Sequence, residues 1–133
     1  MTSPEPAPPP PATPFKSRPG LARIWAAGRY SWQGLRAAFL AEAAFRQELA
    51  VGLPLCLAAP WVAPSAGWAF GLVGVVVAVW VVELLNSGLE ALADAVTIER
   101  HPLLGRAKDL GSAAVMGSLL LCGLTWAVVF WPA

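Results

Sequence analysis

The apolar positions of this chain gather into three long blocks, Leu49 to Ala63, Ala66 to Val82, and Gly111 to the C-terminus. No Asp, Glu, Lys or Arg interrupts the sequence between Glu48 and Glu83, or after Asp109. A helix needs roughly 20 residues to cross the ~30 Å hydrocarbon core of a bilayer. The first two blocks are a little short alone. The second lengthens by running on into the polar segment that follows it, and the first by borrowing its start from the segment before it. The pattern therefore predicts spans over about 48–63, 66–94 and 111–131. Upstream, Trp25, Trp32, Leu35, Phe39 and Phe45 interleave with Arg23, Arg29, Arg36, Glu42, Arg46 and Glu48. That spacing predicts an amphipathic helix over about 21–47, lying in the membrane interface with its aromatic groups in the acyl boundary. Residues 1–19 hold eight prolines and predict a disordered or polyproline-like tail, which leaves 20–133 as the single domain.

The fold class expected is thus an all-α membrane protein with three transmembrane helices and an N-terminal surface helix. Pro54 and Pro60 fall inside the first span, where each removes a backbone donor and favours a kink. Small residues (Gly71 and Gly74 in the second span; Gly111, Ala114, Gly117 and Ser118 in the third) suit close helix packing. Three thin helices make a meagre bundle, so a homo-oligomer is expected. Between the second and third spans, Pro102 and Gly105 are expected to bracket a turn.

Composition agrees with the pattern. At 57% hydrophobic and 13% charged over 133 residues, the chain is too apolar for a small soluble core to hide. Net charge is +1 and points to no partner, and no nucleic-acid partner is expected. The distribution of charge is more telling. All nine Lys and Arg lie between Lys16 and Arg46 or between Arg100 and Lys108. By the positive-inside rule the N-terminus and the 95–110 loop are cytoplasmic, and the C-terminus lies on the opposite side. Trp61, Trp68 and Trp131 would then mark the outer interface. The N-terminus has no apolar core of a signal peptide, so none is expected. Cys56 and Cys122 fall in apolar segments and read as small buried hydrophobes.

The second span ends in an unusual way. At about 100° per residue, Glu83, Asn86, Glu90 and Asp94 share a helical sector of roughly 80°. Ionisable groups at the edge of the hydrocarbon are costly and point to function. On the same membrane face the chain collects Glu42, Glu48, Glu99 and Asp109 beside His101, Arg106 and Lys108. Clustered carboxylates repel one another unless a cation sits among them. Hard oxygen ligands with no Cys and little His favour Mg²⁺, which binds one or two carboxylates together with phosphate oxygens. A nearby Lys supplies a point charge for phosphate, and a partly desolvated carboxylate can act as a general base. The constellation suits phosphoryl transfer to a lipid headgroup. Neither a P-loop, a G-x-G-x-x-G turn nor a protein-kinase signature is present. The residues alone leave three readings open: a lipid kinase, a small proton-coupled transporter using Glu83, and a structural bundle.

Four blocks carry a resemblance. They are Tyr30-Ser31-Trp32-Gln33-Gly34-Leu35-Arg36-Ala37-Ala38, Glu42-Ala43-Ala44-Phe45-Arg46-Gln47-Glu48, Glu83-Leu84-Leu85-Asn86-Ser87-Gly88-Leu89-Glu90, and Gly105-Arg106-Ala107-Lys108-Asp109-Leu110-Gly111-Ser112-Ala113-Ala114. In order and spacing they resemble the prokaryotic diacylglycerol kinases, from about Arg23 to Trp131. The resemblance implies a homotrimer in the bacterial inner membrane, with sites shared between protomers at the cytoplasmic interface. It implies transfer of the γ-phosphoryl group of MgATP to the primary hydroxyl of diacylglycerol, giving phosphatidate. Carried over residue by residue, Glu83 matches the general base and Asn86 the carboxamide beside it. Glu42 and Glu90 match the carboxylates that hold Mg²⁺. Lys108 and Asp109 match nucleotide contacts, as do Arg23, Tyr30, Glu99 and His101. Arg46, Gln47, Glu48 and Ser112 fall near the lipid substrate. Asp94 gains no role and reads as the solvated end of its helix. Arg100 departs from the aromatic residue expected in its loop, and Pro54 and Pro60 are additional kinks. A related branch that phosphorylates undecaprenol is the alternative within the same superfamily.

Overall fold

A computed structural model of the chain describes residues 20–97, 99 and 101–130. The expectations for the 1–19 tail, for Arg100 and for Trp131 lie outside these residues. The chain divides into two compact units, the first ending at Gln33 and the second starting at Gly34. All the described regular structure is helical: α1 Gly20–Ala41, α2 Ala43–Val62, α3 Ala66–Val96 and α4 Pro102–Val129.

In the first unit, the described part is the N-terminal portion of α1. Leu21, Ile24 and Trp25 are largely exposed on it. The Arg29 guanidinium lies 5.4 Å from the centroid of the Tyr30 ring, within range of a cation–π contact.

The second unit is built around α3, which packs against α2 and against α4. Its apolar centre is Ala59 of α2, Leu72 and Val76 of α3, and Trp126 of α4. Gly52 lets α2 and α3 approach: a Cβ there would lie 2.7 Å from both the Trp80 ring and the Val76 side chain. Cys56 and Cys122 are free, half-buried thiols packed against this centre, as read from the sequence.

At 31 residues, α3 runs for roughly 46 Å, well beyond the ~30 Å of a bilayer core. Its polar end therefore has length to spare outside the hydrocarbon. Ser65 starts the helix by accepting a hydrogen bond from the Trp68 N–H at 3.3 Å. Both α3 and α4 are long and apolar enough to cross a membrane. Much of their apolar surface, including Phe70, Val81, Leu120 and Leu124, is exposed on the protein and suited to lipid or to neighbouring copies.

Two boundaries differ from the sequence expectation. The helix expected over 21–47 is broken at Glu42, whose backbone is extended (φ −97°, ψ 115°). No Gly or Pro marks the break; its stabilisation comes from a side chain further along, Arg46. The turn expected at Pro102–Gly105 is instead the first turn of α4. Pro102 sits at the helix start, where its missing N–H costs nothing, and the Gly105 N–H donates to the His101 carbonyl at 2.9 Å. Lys108 and Asp109 consequently stand on a helix, not in a loop.

Candidate functional site

The site grows from the polar half of α3. Because the helix is unbroken from Ala66 to Val96, the i, i+3 and i+4 spacing puts Glu83, Asn86, Glu90 and Asp94 along one side. Glu83 is 5% exposed, the one charged residue type among the buried described residues. One turn on, the Asn86 side-chain amide donates to Glu90 Oε1 at 3.1 Å. This hydrogen bond fixes the Asn86 amide orientation and leaves its Oδ1 buried with no partner.

Helix α4 closes over this stripe. Asn86 Oδ1 rests against the backbone of Gly111, at a place that a Cβ on residue 111 would occupy. Further out, Lys108 Nζ donates to Asp94 Oδ1 at 2.7 Å, forming an ion pair with both side chains open to solvent. The Glu90 carboxylate also acts on the Lys108 charge. Lys108 thus joins the outer half of the acidic stripe, and Asp94, read from the sequence as a free end, is its direct partner.

Beyond the pair lies an open cleft of about 440 Å³, lined by Asp94, Thr97, Glu99, His101, Gly105 and Lys108 among others. It brings together three of the residues expected at a nucleotide, Glu99, His101 and Lys108. Asp109 is exposed and does not line it. Arg23 and Tyr30 belong to the first unit, on the exposed surface of α1.

Glu42 stands at the break between α1 and α2, half-buried, and its side chain does not cap α2. Its charge and that of Glu90 both bear on Glu83, and Glu83 in turn bears on Glu48. Glu83 therefore stands among three other carboxylates, from three segments in all, at the same end of the unit. Glu48 and Gln47 open a second, mainly apolar groove of about 370 Å³ that continues past Val51, Leu55, Trp80 and Cys122. Glu48 Oε2 is buried at its mouth without a hydrogen-bond partner. Of the other residues expected near lipid, Ser112 is exposed and outside this groove. Arg46 is turned back onto the carbonyls of Phe39 and Leu40.

The donor set is hard oxygen. Among the described residues no three His, Cys, Asp or Glu side chains converge as a complete metal cage. That suits a cation held by one or two carboxylates and completed by phosphate and water oxygens. A cluster of carboxylates at one end of the unit fits such a hard cation. The residues missed in the sequence reading are mainly those that act by position. Gly111 stood out only as one of several small packing residues, Gly52 gave no signal, and Arg46 was expected near the lipid and not on the α1 carbonyls.

Known proteins resemble the chain over most of its length. The description of the prokaryotic diacylglycerol kinase family matches residues 29–130. The chain is 45% identical over 112 residues to the diacylglycerol kinase of Escherichia coli K12, covering 84% of this chain and 92% of that protein. It is 44% identical over 117 residues to the diacylglycerol kinase of Pseudomonas aeruginosa, covering 88% and 95%. A diacylglycerol kinase of Helicobacter pylori strain 26695 is 36% identical over 108 residues, covering 80% and 84%.

Proposed function

The chain belongs to the prokaryotic diacylglycerol kinase family and is an ATP-dependent diacylglycerol kinase, and from that premise we propose how its residues divide the work. Neither the undecaprenol kinase nor the transporter alternative is favoured by relatives that all carry the diacylglycerol kinase name. The observation that carries the assignment of roles is the buried Glu83 at the end of an apolar run, followed within two turns by the hydrogen-bonded pair Asn86–Glu90.

Glu83 is the general base. A carboxylate at headgroup depth meets the primary hydroxyl of diacylglycerol where that hydroxyl lies. It takes the hydroxyl proton as the oxygen attacks the γ-phosphorus of ATP. The new O–P bond forms as the bond to the β-phosphate oxygen breaks, giving phosphatidate and ADP. Asn86 is the carboxamide beside the base and orients Glu90 through its side-chain amide. Lys108 meets the phosphates with a point charge, held at the cleft by Asp94. Asp109, Glu99 and His101, with Arg23 and Tyr30 of α1, complete the nucleotide contacts. Gln47, Glu48 and Ser112 attend the lipid.

Glu42 and Glu90 are the carboxylates that would hold Mg²⁺, which when bound neutralises the charge of the phosphates. The fit rests on hard oxygen donors which, among the described residues, form no complete cage and so leave room for phosphate oxygens. In the full reading α2 is a third span beside α3 and α4, and α1 lies on the membrane surface. Three copies form a homotrimer in the inner membrane, with the 95–110 segment cytoplasmic and the C-terminus opposite.

In mixed micelles with dioleoylglycerol and MgATP the purified protein forms phosphatidate. E83Q lowers kcat by about 10²–10⁴-fold, the usual worth of a general base, with trimer assembly intact. Retained turnover in E83Q removes Glu83 from the base role.

A further inference from the structure

The break between α1 and α2 runs against local propensity. Leu40, Ala41, Glu42, Ala43 and Ala44 are good helix formers, with no Gly or Pro among them. In an unbroken helix the N–H groups of Ala43 and Ala44 would bond the carbonyls of Phe39 and Leu40. Here Glu42 is extended, and its N–H still closes the last turn of α1 on Ala38 at 2.8 Å. The two carbonyls orphaned by the break are taken over by one guanidinium. Arg46 Nη1 donates to Phe39 at 3.0 Å and to Leu40 at 3.2 Å. The same residue's backbone N–H reaches the Glu42 carbonyl at 3.4 Å, at the start of α2.

We propose that Arg46 is a positioning residue: by capping the C-terminal carbonyls of α1 it holds the elbow at Glu42 and so aims that carboxylate at the metal-binding position. Its positive charge suits the negative end of the α1 dipole; one guanidinium nitrogen, Nη1, serves both carbonyls, and the planar group is held there with less loss of freedom than a flexible lysine ammonium. Glu42 spends no side-chain hydrogen bond on capping α2, so its carboxylate is free for a cation. Loss of Arg46 leaves two unpaired carbonyls, which the chain can satisfy by restoring a straight helix through Glu42. That change rotates the carboxylate to a new azimuth. The proposal rests on the reading of Glu42 as a metal ligand. It differs from the expectation of Arg46 as a lipid contact.

The test uses the full-length protein in mixed micelles, with Mn²⁺ titrated by electron paramagnetic resonance in the presence of a non-hydrolysable ATP analogue. Phosphatidate formation is followed in parallel against diacylglycerol concentration. R46Q is expected to weaken Mn²⁺ binding by about tenfold, as loss of a ligand-orienting partner does, with the KM for diacylglycerol within about twofold of wild type. R46K is expected between the two. In an E42Q background, R46Q adds no further loss of Mn²⁺ affinity. Unchanged Mn²⁺ affinity in folded R46Q overturns the proposal, and a raised KM for diacylglycerol alongside it makes Arg46 a direct lipid contact. If R46Q does not assemble, R46K decides, and wild-type Mn²⁺ affinity in R46K overturns the elbow. Wild-type Mn²⁺ affinity in E42Q overturns instead the reading of Glu42 on which the proposal stands.

Discussion

Two glycines perform the same steric service toward α3 for opposite ends. Gly52 of α2 receives the Trp80 ring, and Gly111 of α4 receives the Asn86 amide. At Gly52 the guest is a large apolar ring beside Val76, next to the apolar centre formed with Ala59, Leu72 and Trp126. At Gly111 the guest is a carboxamide hydrogen-bonded to Glu90 and one turn from the buried Glu83. The missing Cβ makes room for an apolar ring in one place and for a polar amide of the proposed site in the other. A sequence motif cannot tell the two apart, because both are simply Gly in an apolar helix.

Substitution at each glycine should separate these services. The largest effect is expected at Gly111. An added methyl takes the place of Asn86 Oδ1, so G111A must displace the amide and break its hydrogen bond to Glu90. Turnover should fall by about 10–100-fold, the range for losing a residue that orients a site ligand. The double variant N86A/G111A should regain thermal stability without regaining activity, since the clash is relieved but the amide is gone. Activity close to wild type in G111A would show that Asn86 can leave its place freely.

A smaller change in activity and a larger one in stability are expected at the other end. G52A pushes into Trp80 and Val76, an overpacking that typically costs about 1–3 kcal/mol. The midpoint of unfolding in detergent should drop, while turnover per folded protein stays near wild type. W80L in the same background should restore the midpoint. If G52A instead lowers kcat at unchanged stability, the two ends of α3 are coupled and the contrast fails.

The smallest effect is expected at Asp94. Its ion pair with Lys108 is solvent-exposed, and such pairs contribute little to stability. D94N should leave the unfolding midpoint unchanged. Freed from its partner, Lys108 should hold the nucleotide less well, raising the KM for ATP by about fivefold or less. A larger rise confined to kcat would place Asp94 nearer the reacting groups than its position on the cleft suggests.

Much of this protein was legible without coordinates because hydropathy and charge act locally. The uninterrupted apolar run before Glu83 predicted α3 within two residues at its C-terminal end. Helical periodicity alone put Glu83, Asn86 and Glu90 on one side, since that follows from rotation per residue. Lys108 was correctly grouped with the acids by the charge islands. Its direct pairing with Asp94 was not legible, because fourteen residues and a change of helix separate the two in the chain. The break at Glu42 was invisible for a similar reason. Its cause is the Arg46 guanidinium folding back over a turn, a choice that propensity at 40–44 argues against.

The sequence by itself determined a helical chain, the extent of α3, the acid stripe and the family to which its motifs belong. These follow from periodicity, apolar length and residue chemistry, which neighbouring residues carry. Tertiary structure alone decided that α1 ends at Ala41, that α4 begins at Pro102, and that Asn86 leans on Gly111 and Trp80 on Gly52. Those outcomes depend on which helices approach within a side chain's length of each other. Such distances are properties of the packed unit, set by how the side chains of facing helices fit together.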